Sequence, residues 1–505
     1  MLQEAIKPNG PVLRCISLAS LLILLFLSGC KESPESLVNL EWNEISTNNF
    51  VIYSSISKQK TRQLAATLEN FRSLYSLITN SKLPVDKIKT YIYIFPSIVP
   101  EVGLDRKRDG LFTQLLRSNL VVMRSWGSND ISIMTLQHEY THYLMTNTNN
   151  LEYPAWYAEG FADLLSTVLV KNNKVEVGII SPFRAYSLLH GKWKPFKWVI
   201  NLDGTDALSP EDGAKFYAQS WALVYYLNIG RKNHNFAAES KHYFSLLKKG
   251  KNKEEAFEQA YSVNLDKIES SIHSTLKNNL KYVVLKLKNP MQESSIKVHK
   301  LKKDVIAVKL GLLCLVHEKT DCAKKLYSRS LKINPNQASA MDGLADVYEL
   351  QGRFNKAESG YIQAIKLEPD VSMHYLEYGE YLNNRAIKTH DSGLRRKLLD
   401  RARVNYKRSL SLDPDNLEAL VMYGNSFFVD QHDKNEMLIG LSNLLTAYKY
   451  MPANPIIKMS LANAYAMAGM KEQARQLAEQ VHGWSHIPAS NAAAEFLKSL
   501  DNPGK

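Results

Sequence analysis

Cysteine, long apolar runs and several common enzyme motifs are scarce or missing in this sequence of 505 residues. Only four cysteines are present, and no two of them form a Cys-x-x-Cys pair. A glycine-rich phosphate loop and a Gly-x-Ser-x-Gly turn are also missing, so the sequence does not support the enzyme classes that these motifs mark. Beyond the amino terminus, no stretch is apolar for the eighteen or more residues that a membrane helix needs. The chain after its first segment should therefore be globular.

Two histidines and three acidic residues are spaced as they are in metal sites. Residues 138–142 are His-Glu-Tyr-Thr-His, so a helix would place His138 and His142 on one face with Glu139 beside them. A catalytic zinc takes three protein ligands, and Glu159, on a following helix that starts near Pro154, is the natural third. Asp163 lies four residues later on the same helical face, where it could accept the second ring N–H of a zinc-bound histidine.

This pattern resembles that of the gluzincin metallopeptidases, and over about residues 42–280 it resembles the peptidase MA-like domains of bacterial proteins. The resemblance implies Zn²⁺ bound by His138, His142 and Glu159, with Glu139 as the general base that activates the zinc-bound water. Tyr217, in Phe-Tyr-Ala-Gln-Ser-Trp, matches a recurrent tyrosine and is a candidate donor to the oxyanion. Packing in the core or at its rim is an alternative role for Tyr217. The histidines could likewise be core residues, and a chain that keeps zinc ligands can bind without cutting.

The amino terminus carries a short apolar run behind two basic residues. The run from Cys15 to Leu27 is too short to span a bilayer and ends in Leu-Ser-Gly-Cys at Cys30. This resembles the lipobox of bacterial lipoproteins, which implies that residues 1–29 are a signal peptide, that Cys30 is acylated and that residues 30–41 are a tether. We predict a lipid-anchored protein of the bacterial cell envelope, in the outer membrane facing the periplasm. An ordinary signal peptide or membrane anchor is the alternative.

With 45% apolar residues, the chain can build more than one core. Residues 42–282 mix strands, at 50–53 and 90–95, with helices, and we predict an α+β zincin-like metallopeptidase domain there. Residues 120–123 should form an edge strand ahead of the zinc helix, which is a candidate for binding an extended substrate. A purely structural strand is an equal alternative.

The carboxyl-terminal half is periodic. Residues 283–303 form a basic linker, and beyond them Pro335 recurs as Pro369, a spacing of 34 that is typical of tetratricopeptide repeats (TPRs). About five repeats, two of them lengthened, should stack into an all-α solenoid over residues 304–482, with a cap and tail at 483–505. Cys314 and Cys322 are either bridged or two small packed side chains.

Two functions follow from these patterns. The first is a membrane-tethered zinc metallopeptidase that hydrolyses a peptide or protein substrate, with the TPR solenoid recruiting the substrate or a protein partner in its groove. The alternative is a non-catalytic envelope lipoprotein adaptor that binds proteins through its repeats. The net charge of +13 is spread along the chain, so we predict no nucleic-acid partner and assign the basic residues to solvated faces and to the nearby membrane, reached through Cys30.

Overall fold

The computed structural model describes residues 33–83, 88–104, 110–116, 118–125, 130–148, 153–171, 173–204, 208–232, 234–277, 280–429, 433–482 and 488–501. The predicted signal peptide, Cys30, the first residues of the tether and the last four residues of the tail lie outside the described residues. Within these ranges, none of the helices has the length and apolar character needed to cross a membrane.

The amino-terminal half is a mixed α/β unit with two sheets. Its strands are β1 (Asn43–Ser46), β2 (Phe50–Ser54), β3 (Thr90–Phe95), β4 (Gly110–Gln114), β5 (Asn119–Arg124), β6 (Leu169–Lys171), β7 (Lys174–Val177), β8 (Val283–Lys286) and β9 (His299–Lys300). Its helices are α1 (Pro34–Leu37), α2 (Lys58–Thr79), α3 (Asp130–Thr148), α4 (Ala155–Ser166), α5 (Pro182–His190), α6 (Phe196–Asn201), α7 (Pro210–Tyr225), α8 (Phe236–Lys248), α9 (Lys253–Tyr261) and α10 (Leu265–Lys277). A π-helical turn, Tyr226–Gly230, extends α7, and 3₁₀ turns cover Pro100–Val102 and Glu293–Ser295.

The large sheet has the strand order β4-β5-β3-β2-β1-β9. Its centre is parallel, because β3 pairs in parallel with both β2 and β5, whereas β4 and β1 are antiparallel to their neighbours. The strand predicted at residues 120–123 therefore exists as β5, but it is not an edge strand, since β4 covers it. The expectation that it binds an extended substrate is wrong, because both of its sides are paired within the sheet.

Both faces of the large sheet are buried, which follows from the alternation of side chains along each strand. Ile52, Ile92 and Val121 belong to a core shared with α2, α3 and α4. Their neighbours, including Tyr53 and Val122, belong to a second core on the opposite face. That second core is completed by the first helix of the repeat region, so the two halves of the protein share one continuous interior.

Two segments that were predicted as connections are part of the folded structure. In the predicted basic linker, β8 pairs with β7 and β9 pairs with β1, so residues 283–303 add a strand to each sheet. In the predicted tether, residues 34–37 form α1, whose Pro34 and Leu37 are buried. Short strands and a four-residue helix carry too little periodicity to be recognised in the sequence, and only their distant partners stabilise them.

The carboxyl-terminal half is a helical TPR solenoid, as the 34-residue period predicts. Its antiparallel pairs are α11 (Lys303–Val316) with α12 (Thr320–Ile333), α13 (Ala338–Leu350) with α14 (Phe354–Leu367), α15 (Ser372–Lys388) with α16 (Ser392–Leu412), α17 (Leu417–Ser426) with α18 (Lys434–Tyr450) and α19 (Pro455–Met467) with α20 (Lys471–His482). The helix α21 (Pro488–Asp501) packs against α20 and α19 at the end. Cys314 and Cys322 form a disulfide between α11 and α12.

Glycines at the repeat positions let aromatic rings fill the space between helices. A Cβ atom on Gly343 would lie 2.2 Å from Cζ of Tyr327, and one on Gly311 would lie 2.8 Å from Cε1 of the same ring. Tyr327 of the first repeat is thus held between the first helices of two successive repeats. This contact explains why small and aromatic residues alternate at fixed spacing in the sequence.

Candidate metal centre

The helix α3 presents the two histidines of the His-Glu-Tyr-Thr-His segment from a well-packed support. Tyr140 is fully buried and accepts a hydrogen bond from Arg72 on α2, 2.7 Å long. Gln137 donates to the carbonyl oxygen of Val168 at 3.1 Å. Because these contacts fix the helix on the side away from the histidines, His138 and His142 stay on its open side, partly exposed.

The helix α4 places Glu159, the predicted third ligand, against the two histidines. Pro154 precedes its first turn, and Trp156 is completely buried in the core. A Cβ on Gly160 would lie only 2.3 Å from the carbonyl oxygen of Ser220, so α4 and α7 are in backbone contact at this point. This close packing leaves the carboxylate of Glu159, which is almost fully buried, facing the histidines of α3.

The three predicted metal ligands converge as a compact triangle. Nε2 of His138 lies 3.1 Å from Oε2 of Glu159 and 3.2 Å from Nε2 of His142, and the third side, from His142 to Glu159, is 3.3 Å. Ligand atoms of a tetrahedral zinc lie about 3.3 Å apart when each bond is about 2.0 Å. Two imidazole nitrogens and a carboxylate oxygen at this spacing fit Zn²⁺, and His138, His142 and Glu159 are together a group that could hold a metal ion.

Asp163 lies where the sequence predicts it, behind the first histidine. Its Oδ1 is 3.0 Å from Nδ1 of His138, which leaves Nε2 of that ring to the metal side. Arg184 on α5 forms two hydrogen bonds with the same carboxylate, at 2.6 and 3.2 Å. No sequence signal pointed to Arg184, because it lies 21 residues away from Asp163 on a helix with no recognisable motif.

The electrostatics of this cluster favour a positive charge between the carboxylates. Burial disfavours the charged form of His138, but the hydrogen bonds and charges of Asp163 and Glu159 outweigh burial and raise the pKa of His138 to about 10. Burial likewise opposes ionisation of Glu159 and Asp163. His142 and His138 nevertheless keep the pKa of Glu159 below its usual value, and His138 and Arg184 do the same for the pKa of Asp163. Either a proton or a metal cation can balance the negative charge of these two carboxylates.

A cavity of about 290 Å³ opens beside the triangle. It is lined by Met134, Thr135, His138, Glu139, Asp163, Ser166, Ser181, Phe183, Arg184 and Tyr217. The guanidinium of Arg184 lies 4.7 Å from the centre of the Tyr217 ring, which in turn lies 6.3 Å from the ring of His138. The cavity thus brings together His138, Glu139, Asp163 and Tyr217, and the triangle of ligand atoms joins His142 and Glu159 to His138. Arg184 and Phe183 also line the cavity, and sequence reasoning missed both.

No family model matches the chain. Over 171 residues it is 29% identical to the protein CTR9 homolog of Arabidopsis thaliana, a TPR protein; the match covers 34% of this chain and spans only 14% of the length of that relative. It is similar to the solved structure of a thermophilic TPR protein of Thermus thermophilus, with 19% identity over 39% of this chain and 98% of that chain and a TM-score of 0.34. It is also similar to PilF of Pseudomonas aeruginosa, with 16% identity, 40% and 93% coverage and a TM-score of 0.31.

These similarities correct the predicted activity. The similar proteins are TPR proteins and not peptidases, which contradicts the prediction that the chain is a zinc metallopeptidase. The physical reason for the error is that a His-Glu-x-x-His helix and a following glutamate specify metal ligands, whereas turnover depends on further features that the motif does not contain. The catalytic roles predicted for Glu139 and Tyr217 depended on that activity; both residues line the cavity.

Proposed function

We propose that this protein is a non-catalytic adaptor that binds partner proteins through its TPR solenoid. The observation that carries the proposal is the stack of five antiparallel helix pairs, α11 to α20, which continues directly from the core of the α/β unit. A solenoid of this kind presents an extended groove made of the first helices of successive pairs. The α/β unit then acts as a rigid base that holds one end of the groove in place.

Site-specific photo-crosslinking tests this function. A photoreactive residue at Asn384, exposed on the first helix α15, samples the groove, and one at Val404, exposed on the second helix α16, serves as the matched control. We expect a discrete protein to crosslink from Asn384 but not from Val404, and the purified protein to bind the full-length chain in solution. The Glu139→Gln variant should bind it equally well, because an adaptor needs no general base. Equal or absent crosslinking at the two positions would refute the proposal.

We also propose that the α/β unit is zincin-like and that His138, His142 and Glu159 bind Zn²⁺ without a peptidase role. The triangle of ligand atoms supports this proposal, as does the support of His138 by Asp163. Bound zinc would supply a cross-link between α3 and α4 and one open coordination position toward the cavity. Zinc content of the purified protein, measured by elemental analysis, should be about one ion per chain and should fall in Glu159→Gln.

We further propose that Cys30 carries the lipid that anchors the protein in the bacterial envelope, at the outer membrane facing the periplasm. The support comes from the sequence around Cys30 alone. Mass spectrometry of the mature amino-terminal peptide should find an acylated Cys30, and Cys30→Ser should release the protein from the membrane fraction. An unmodified Cys30 in membrane-bound protein would contradict the anchor.

A further inference from the structure

The solenoid groove contains a concentration of carboxylates that the composition of the chain does not explain. Asp346 on α13 and Glu380 on α15 are 34 residues apart, so they occupy the same position of successive repeats. Both are partly exposed, in a protein whose net charge is +13. We call the following residues the acidic band: Asp346, Glu349, Glu377, Glu380 and Glu418.

The acidic band spans the three first helices α13, α15 and α17, and its members on α13 and α15 influence each other. Burial raises the pKa of Glu349, and the charge of Glu377 on the next first helix adds to this shift. Asn384 donates a hydrogen bond to Glu349 at 3.2 Å, and Lys388 is a nearby cation that acts in the opposite direction. Glu349 and Glu377 thus lie close enough to repel one another, and both are partly exposed, which is an arrangement that an additional positive charge would stabilise.

A buried tyrosine hydroxyl beside the acidic band supplies a second observation. Tyr361 and Tyr406 occupy equivalent positions on the second helices α14 and α16, and the hydroxyl of Tyr361 donates to Asp346 at 2.6 Å. Tyr406 is completely buried beneath Gly379, yet among the described residues its hydroxyl has no hydrogen-bond partner.

Burial is the main reason that the pKa of Tyr406 is raised, and the charges of Glu380, Glu418 and Glu349 raise it further. The hydroxyl oxygen therefore lies within the field of the acidic band. An ammonium group has three N–H donors, so it can bind several of the partly exposed carboxylates of the acidic band at the same time.

We propose that the acidic band binds a lysine- or arginine-bearing segment of the partner protein. This inference rests on the proposed adaptor function and specifies the chemistry of the partner. A basic chain would ordinarily repel a basic peptide, so selective binding of one requires a local surface of opposite charge, and the acidic band is such a surface. The exposed side chain of Leu350, next to Glu349 at the end of α13, can pack against the aliphatic part of a bound lysine.

Fluorescence anisotropy with the full-length protein tests the proposal. The probes are two labelled peptides of about ten residues, one alternating lysine with alanine and the other alternating glutamate with alanine. We expect the lysine peptide to bind at least about tenfold more tightly than the glutamate peptide, the reverse of what the net charge alone would produce. The double variant Asp346→Asn/Glu380→Gln should weaken binding of the lysine peptide about tenfold.

The matched control is Asp321→Asn/Glu472→Gln, which removes the same charge from the exposed surfaces of the second helices α12 and α20. This control should bind the lysine peptide as the wild type does. Equal weakening in both double variants would overturn the proposal, because general electrostatics would then account for the binding. Tighter binding of the glutamate peptide by the wild type would overturn it as well.

Charge reversal separates loss of binding from loss of folding. Asp346→Lys/Glu380→Lys should lose the lysine peptide and gain the glutamate peptide, and a misfolded protein would not show such a gain. If the protein that crosslinks from Asn384 still binds Asp346→Asn/Glu380→Gln normally, the basic partner is wrong although the adaptor function stands. If the lysine peptide binds as expected but no protein crosslinks from Asn384, the adaptor function fails separately.

Discussion

Replacing Gly160 with alanine tests the packing that brings Glu159 to the candidate metal centre. The added Cβ would lie 2.3 Å from the carbonyl oxygen of Ser220 and 2.7 Å from Cγ2 of Val224. A side chain can rotate away from such a clash, but the backbone oxygen of a buried helix cannot. The helices α4 and α7 would have to separate by about 1 Å to restore an ordinary contact distance of about 3.5 Å.

The size of the effect can be estimated by comparison with Gly213, a second helical glycine. Overpacking a core costs about 1–3 kcal/mol, and we take the upper end here because backbone has to move. Alanine stabilises a helix by about 1 kcal/mol relative to glycine, which offsets part of this cost. Gly160→Ala should therefore be about 2 kcal/mol less stable than the wild type. A Cβ on Gly213, in α7, would meet nothing within 4 Å, so Gly213→Ala should be stabilised by about 0.5–1 kcal/mol.

Urea unfolding followed by tryptophan fluorescence measures both variants, because Trp156 and Trp221 are completely buried on the two helices concerned. We expect the free energies of unfolding of the two variants to differ by about 3 kcal/mol. Zinc affinity should fall in Gly160→Ala only, since Glu159 moves with α4. If Gly160→Ala were as stable as Gly213→Ala, the two helices would not be in backbone contact and the reasoning would be refuted.

We make three further predictions, two on the metal centre and one on a buried histidine of the solenoid. Glu159→Gln should lower Zn²⁺ affinity at least about tenfold in competition with a chromophoric chelator, whereas Glu139→Gln should leave it unchanged. Removing zinc with a chelator should lower the melting temperature, because zinc at about 100 times its Kd contributes about 2.7 kcal/mol. Burial opposes protonation of His374, but hydrogen bonds and charges from Asp342 and Glu368 raise its pKa above 6.5. Protonated His374 therefore stabilises the fold below about pH 6.5 and loses this effect as the pH rises through its raised pKa, so the difference in melting temperature between the wild type and His374→Asn should narrow as the pH rises above about 6.5.

Periodicity explains which parts of the fold could be predicted. The solenoid follows from the spacing of Pro335 and Pro369, and β2, β3 and the helix between them follow from alternating and helical apolar patterns. The residues of β5 could be predicted, but its position in the strand order could not, because that position depends on which distant segment pairs with each side of the strand. The strand β9 has only two residues and owes its existence to β1, whose paired residues lie 255 and 257 positions earlier in the chain.

In the candidate site, too, contacts within one helix could be predicted from the sequence and contacts between distant segments could not. His138 and His142 are four residues apart on one helix, so their convergence is a local property that the sequence reveals. Arg184 binds Asp163 from a separate helix, and no local pattern announces that contact. The function of these residues is harder to predict than their position, because the same ligands occur in structural, binding and catalytic sites. The prediction of a peptidase from the ligands was the one that proved wrong.

The packing of α1 indicates how an envelope adaptor would be oriented. Arg329 on α12 donates hydrogen bonds to the backbone oxygen of Glu35 and to the side chain of Asn39, so α1 is fixed to the first TPR and not to the metal centre. At no more than about 3.5 Å per residue, a lipid on Cys30 could lie at most about 14 Å from Pro34. The proposed anchor would therefore hold the first repeat close to the membrane, and because that repeat shares a core with the large sheet, the direction of the groove would be set by the α/β unit and not by a flexible tether.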